Sequence, residues 1–451
     1  MNVLNSRHLY PNKFKTKGVF RMKKRNALLL VLLLFSLASV GYCKKTPTFA
    51  AEKSINIISQ NSHYEVVLDY EKQPSHREMG ETYAAQILQM VPNYEYLIDS
   101  YLQEWTDAFK EVLNIGTEDI IKRISDIKAQ IKEEYRAEIE GLAAGFSGPE
   151  QAVSGDGKLS VDEIYMYNLI TDVLRVTQCS AFGVYGSRSV TGKTIAARIM
   201  DWYCGAKNQL AQLQAVTTFK NANKTICTVG YLGFMGVVTG LNNNLIFAAI
   251  LDSNTGQEYN SQGNNSYVFD IRDALEQYTT LDEVGNCLKA PERTYTYSHL
   301  VFLADSHTCK VLENNISSAI SCIRDLRTAE SALNPGIEWG ITNAIGCVNS
   351  FLLKGNFDNH SSETYNTARW ESLKRTLLAQ GDIVNVAQVK TVASYHEVNT
   401  LDQNIDGNLY RSSTQQIVIF DPDKPELQVF FRPRSGLLPE TPFFDKCPLH
   451  F

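Results

Sequence analysis

The chain has 451 residues, 44% of them hydrophobic and 20% charged, which is enough apolar material for one large domain or two smaller ones. A formal net charge of −6 offers no basic surface for neutralising phosphates, so the composition argues against a nucleic-acid partner and favours a small-molecule or lipid-like substrate. Nine cysteines are scattered without CxxC-type spacing; neither a metal nor a cofactor is expected, some thiols read as buried apolar residues, and at least one is free for chemistry.

Residues 1–50 read as an N-terminal extension and a secretory signal. Met22-Lys23-Lys24-Arg25 precedes the apolar run Ala27 to Val40, whose length and basic flank suit a signal h-region better than a membrane span. An exported protein is therefore expected, with anchoring through an uncleaved signal or a lipidated Cys43 as the alternative. From Ser75 to about Leu174 the pattern is helical, with apolar residues at three- and four-residue spacing over Glu78 to Val91, Tyr94 to Leu113 and Glu118 to Ala144. Residues 51–178 are thus expected to form a helical section. Between them, Asp156, Gly157, Leu159, Ser160 and Glu163 match part of a calcium-loop pattern. Ala152 and Ser154 occupy two of that loop's ligand positions, so the segment reads as a polar turn capping a helix that begins near Val161.

After residue 178 the texture changes to short β-type runs: 180–185, 194–199, 213–219, 225–231, 245–251, 299–303, 310–312, 416–420 and 427–431. Helices are expected near 271–278, 281–288 and 368–380. Many antiparallel strands with a few helices predict an α+β protein of stacked sheets between helix layers. Asn223, Asn264, Asn315 and Asn359 each begin a glycosylation sequon.

The informative stretch runs from Gln178 to Trp202. Cys179-Ser180-Ala181-Phe182-Gly183-Val184-Tyr185, a polar turn, and Thr194 to Trp202 predict a β-hairpin that returns Arg198 and Asp201 beside the residue that starts it. A cysteine needs a nearby base or a cationic neighbour to attack an amide carbonyl. If Cys179 becomes a chain terminus, its own α-amine takes the thiol proton, Asp201 orients the resulting ammonium, and Arg198 steers the thiolate or a substrate carboxylate.

This pattern of Cys-Ser, a hairpin and Arg-x-x-Asp-Trp resembles the N-terminal-nucleophile (Ntn) hydrolases that include penicillin acyl-transferring enzymes, choloylglycine hydrolases and acid ceramidase. It is most similar to the acyl-coenzyme A:6-aminopenicillanic acid acyltransferase-like group. The likeness extends to Arg77-Glu78-Met79-Gly80-Glu81, to Glu138-Ile139-Glu140-Gly141-Leu142-Ala143-Ala144-Gly145, to Leu159 through Ile164, and to Ala304-Asp305-Ser306 followed by Val311-Leu312-Glu313.

The resemblance implies a four-layer αββα sandwich preceded by a helical propeptide, self-cleavage between Gln178 and Cys179, and an αβ heterodimer with a catalytic chain of residues 179–451. It further implies Asn343 as an oxyanion donor and Arg369 beside the nucleophile. The expected reaction cleaves a linear amide of an N-acylated small molecule through an S-acyl-enzyme. Acyl transfer, a phospholipase-B-like ester hydrolysis and a non-catalytic binding protein on the same scaffold stay open, as does a papain-like protease using one of His299, His307, His360 or His396. Tyr165, Tyr167, Tyr185, Trp202, Tyr203 and Phe234 supply aromatic surface near the motif.

Overall fold

A computed structural model describes residues 54–148, 155–174, 178–318, 321–401, 403 and 405–451. The expected signal segment, Cys43 and most of the turn before Gly155 lie outside these residues. No helix among the described residues is long and apolar enough to cross a membrane.

The fold is α+β, with two sheets packed face to face and helices on both outer sides. The first sheet has nine strands: β1 (Ile55–Ser59), β2 (Tyr64–Asp69), β5 (Gln214–Lys220), β6 (Ile226–Tyr231), β7 (Thr239–Asn242), β8 (Phe247–Asp252), β9 (His299–Ala304), β10 (Cys309–Asn314) and β11 (Arg324–Arg327), in that order across the sheet. The second has six, in the order β12 (Ala344–Cys347), β3 (Gln178–Val184), β4 (Ile195–Asp201), β13 (Thr414–Phe420), β14 (Glu426–Phe431) and β15 (Asp445–Pro448). Strands β3, β4 and β13 alternate between two cores. Ala181, Met200 and Val418 face the space between the sheets, whereas Phe182, Ile199 and Ile417 face α9 (Thr364–Leu378) and α10 (Val386–Ala393). On the far side, α7 (Tyr267–Gln277) and α8 (Leu281–Leu288) cover the nine-stranded sheet.

The section before residue 178 is not wholly helical, which corrects the reading of residues 51–178. Its β1–β2 hairpin adds to the large sheet, with β2 running parallel to β5 from Tyr64 opposite Ala215 to Asp69 opposite Lys220. The helices α1 (His76–Met90), α2 (Tyr94–Leu113), α3 (Thr117–Lys128), α4 (Glu133–Ala144), α5 (Val161–Asn168) and α6 (Ile170–Val173) follow. The single helix expected over 118–144 breaks between α3 and α4, where Ile131 turns into the core and Lys132 pairs with Asp273.

Two of the sequence motifs have a packing reason. Helices α1 and α4 cross at Gly80 and Gly141, where a Cβ on Gly80 would lie 2.2 Å from the Glu138 carbonyl oxygen and one on Gly141 would lie 2.1 Å from that of Arg77. The third motif caps a helix: Ser160 accepts from the Glu163 N–H, and the Glu163 carboxylate accepts from the Ser160 N–H. Asp99 accepts from the N–H groups of Gly155 and Gly157, so the described part of the turn is closed by a protein carboxylate.

Every described cysteine is free. Of the four sequon asparagines, Asn264, Asn315 and Asn359 are buried, and only Asn223 is exposed. Burial withholds the other three from a glycosylating enzyme once the chain has folded.

Candidate active site

The expected hairpin forms, and its register sets Cys179 opposite Met200, Ala181 opposite Arg198, and Gln178 opposite Asp201. Cross-strand partners share a face of the sheet, so Cys179 and Arg198 point between the sheets while Gln178, Ser180 and Asp201 point toward α9. Arg198 Nη2 lies 3.4 Å from Cys179 Sγ and 3.3 Å from the Ile250 carbonyl oxygen on β8. The thiol is 1% exposed. Burial pushes its pKa up; the Arg198 guanidinium opposes this, and the Asp201 carboxylate adds to it.

The backbone of Cys179 is held as firmly as its side chain. Arg369, on α9, donates from Nη1 to the Cys179 carbonyl oxygen at 2.8 Å and to Ser180 Oγ at 3.2 Å. Its Nη2 donates to Asn349 Oδ1 at 2.9 Å and to Asn366 Oδ1 at 2.7 Å. The Cys179 N–H donates to the same Asn349 Oδ1 at 2.8 Å, and Asn349 Nδ2 donates to the Asp252 carbonyl at 2.7 Å. Both neighbours of that oxygen can only donate, which settles the orientation of the carboxamide.

Asp201 is fully buried. Its Oδ1 accepts from Thr414 Oγ1 at 2.7 Å, while Oδ2 has no donor among the described residues. Burial raises its pKa above the ordinary carboxylate value, and Arg411, Thr414, Arg369 and Arg198 pull it back. Gln178, on the other side of the expected scissile bond, offers Oε1 to Arg411 Nη1 at 3.0 Å.

Cys179, Arg198, Asp201 and Arg369 are therefore brought together, and Asn343 is not. Asn343 precedes β12 and lies level with Tyr185, whose N–H it accepts at 2.9 Å, at the far end of β3. At about 3.3 Å per residue, that places it roughly 20 Å from Cys179. Its side chain donates to Ser187 Oγ at 2.8 Å. The residue that reaches Cys179 is Asn349. A signal for it existed: two asparagines flank the apolar run 344–348, and β12 is antiparallel to β3, so the one after the run is the one beside the start of β3.

The corner Asp252-Ser253-Asn254 buttresses Asn349, with Ser253 Oγ 3.3 Å from the Asn349 carbonyl. No histidine stands among the main groups acting on the Cys179 thiol; His299 bonds Asn314, His360 Ser350, and His396 Glu440.

Beside Met200, the cross-strand partner of Cys179, lies a small apolar hollow of about 20 Å³, room for about one water molecule. Tyr101, Tyr167, Ile170 and Thr171 of the helical section line one wall, and Met200, Trp202, Tyr231 and Phe234 line the other. Tyr165, Tyr185 and Tyr203 lie outside it; Tyr165 bonds Glu140 and Tyr203 bonds Glu104. The Tyr231 hydroxyl and Thr171 Oγ1 have no partner among the described residues.

No family model matches the sequence, and no curated protein matches it. Solved structures do. The chain is similar to a Caenorhabditis elegans orthologue of N-acylethanolamine-hydrolyzing acid amidase at 16% identity and a TM-score of 0.37, over 55% of this chain and 94% of that one. It is similar to penicillin V acylase from Agrobacterium tumefaciens at 12% identity and a TM-score of 0.33, over 56% and 83% respectively. A conjugated bile acid hydrolase variant from Clostridium perfringens gives 11% identity and a TM-score of 0.33, over 56% and 89%.

Proposed function

We propose that this protein is a self-processing cysteine amidase of the Ntn type, which cuts its own Gln178–Cys179 bond and then hydrolyses a linear amide of an N-acylated small molecule. The observation that supports this reading is the treatment of Cys179: its thiol meets Arg198, its N–H meets Asn349 and its carbonyl meets Arg369. Buried backbone groups need partners at any position, but a guanidinium on the buried thiol, with the N–H and carbonyl of the same residue held by side chains, suits a nucleophile whose amine is also its base.

In the uncut chain, the thiol proton is relayed through water to Asp201, whose side chain lies on the other face of the hairpin, and the sulfur adds to the Gln178 carbonyl carbon. The C–N bond then breaks, the amine of Cys179 takes that proton back, and water hydrolyses the resulting thioester. In the mature enzyme the freed α-amine, seated on Asn349 Oδ1 and near Asp201, becomes the base. The thiolate attacks the substrate amide, the ammonium protonates the leaving amine, and water releases the acyl group from sulfur. We further assign the protein to an exported compartment, on the apolar run Ala27 to Val40 behind its basic flank, and take the two fragments to stay associated as an αβ heterodimer.

Intact mass measurement with N-terminal sequencing tests the reading. Wild type yields a chain beginning at Cys179, and Cys179→Ala stays whole. An uncut wild type after prolonged incubation overturns it.

A further inference from the structure

A cleft of about 350 Å³, lined by none of the residues that bond Cys179, opens between the α3–α4 turn and the first half of α7. That volume falls in the range of small-molecule sites, roughly 300–1,000 Å³. Ile131, Lys132 and Tyr135 line it from the helical section, and Phe269, Asp270, Asp273, Glu292 and Arg293 from the other side of the 178/179 bond.

The charges in this lining are unequal. Asp270 and Asp273 are buried, and Arg293 bonds both, from Nη1 to Asp270 Oδ1 at 2.7 Å and from Nη2 to Asp273 Oδ2 at 3.2 Å. Lys132 pairs with Asp273 from the helical section. Those two carboxylates and two cations cancel. Glu292 adds a third carboxylate, exposed and in no ion pair among the described residues. Arg324, the guanidinium it acts on, spends its N–H groups on Asn314, Ala290 and Leu288. The lining is therefore one positive charge short. Burial lifts the pKa of Asp270 above the ordinary carboxylate value even with Arg293 opposing the rise, a further sign that cation is in deficit there.

The same lining has an apolar patch. The rings of Tyr135 and Phe269 stack with centroids 5.8 Å apart, and Ile131 is buried with them. A ligand that suits both features carries one positive charge and an apolar body: an ammonium donates to carboxylates, and a ring or short chain covers the aromatic surface. An anion would deepen the imbalance, and a neutral molecule would leave it. We propose that this cleft is a binding site for a small primary amine, its ammonium taken by Glu292 and Asp270 and its apolar part by Phe269 and Tyr135. The site does not depend on the amidase reading. Its two walls come from either side of the 178/179 bond, so a bound amine ties the two sections together whether or not the chain is cut.

Titration calorimetry of the purified protein at pH 7 with phenethylamine, 2-phenylethanol and 3-phenylpropanoate, which share a phenyl ring and differ in charge, tests the proposal. Phenethylamine should bind with a dissociation constant of about 1 mM or tighter, and the alcohol and the acid each at least about tenfold more weakly. Glu292→Gln should cost the amine about tenfold. Glu292→Lys reverses the excess charge; it should abolish amine binding and raise the affinity for 3-phenylpropanoate about tenfold above that of wild type. That gain cannot come from a variant that has lost its fold, and the comparison of the three ligands needs wild type alone. No binding of phenethylamine up to about 10 mM, an alcohol that binds as tightly as the amine, or an amine affinity unchanged in Glu292→Lys overturns the proposal.

Discussion

The carboxamide oxygen of Asn349 receives the backbone N–H of Cys179 at 2.8 Å, the group that would become an α-amine in the self-cleavage proposed above. That contact fixes the nitrogen relative to its own thiol. Truncation to Asn349→Ala removes both the acceptor and the bridge to Arg369, and self-cleavage should slow by about 10- to 100-fold from lost orientation. Asn343→Ala should stay within about twofold, because among the described residues its side chain bonds Ser187, roughly 20 Å from Cys179. The rate of fragment appearance on a denaturing gel measures both.

The pH dependence of self-cleavage should follow Asp201. Burial lifts its pKa above the carboxylate range, and Arg411 is the first of the groups opposing that rise. A base must be deprotonated to act, so the rate should climb with pH through a midpoint above the ordinary aspartate value. Arg411→Ala removes the leading opposing charge and should move the midpoint further up. Quenched time courses across a buffer series decide the direction of the change.

Asp172 gives a separate, thermodynamic dependence. It is buried where α6 meets α7, accepts from Ser266 Oγ at 2.7 Å and from the Tyr267 N–H at 2.9 Å, and burial pushes its pKa up to about 8. Between the unfolded value near 3.8 and about 8 the folded state holds a proton that the unfolded state has released. Stability therefore falls as pH rises across that window and levels off above it. Asp172→Asn keeps an acceptor for the Tyr267 N–H and should flatten this slope in thermal melts.

Where α1 and α4 cross, a single methyl group has no room. Gly80→Ala or Gly141→Ala forces a Cβ against a carbonyl oxygen of the other helix, and each should cost about 1–3 kcal/mol by overpacking. Chemical denaturation measures the loss. Gly192→Ala meets no neighbour within 4 Å but strains a backbone at φ +73°, so it separates conformational strain from close contact.

Glu138 and Arg272 join the chain on either side of the 178/179 bond. Arg272 Nη2 donates to Glu138 Oε1 at 3.0 Å, with His76 and Tyr70 each 2.7 Å from that oxygen, and the guanidinium lies between the rings of Tyr135 and Phe219. Glu138→Ala removes one of the two carboxylates on this buried guanidinium, Glu276 Oε1 staying 2.8 Å from Arg272 Nε, and should destabilise by about 1–3 kcal/mol. A double-mutant cycle with Arg272→Met in urea reads the coupling between Glu138 and Arg272.

The sequence carried the hairpin, the alternation of its two faces and the cluster Cys179, Arg198, Asp201, because period-two burial and a fixed turn determine all three. Arg369 was legible only through resemblance, since an arginine on a helix says nothing by itself about which strand it faces. Asn349 was passed over for Asn343 because local sequence marks both as turn residues, and only strand direction tells them apart. The β1–β2 hairpin escaped for another reason: its pairing with β5 crosses about 150 residues, and contacts at that separation leave no local period.

That hairpin bears on how cutting the chain would be noticed. With β2 bonded along β5 and one apolar core running through residues from both sides of 178/179, a severed molecule keeps its outline, its mass in native solution and its elution volume. Maturation would be invisible to any native sizing method. Conversely, a gene segment encoding residues 179–451 alone would give a protein with β5 as a bare sheet edge, prone to pair with its own copies.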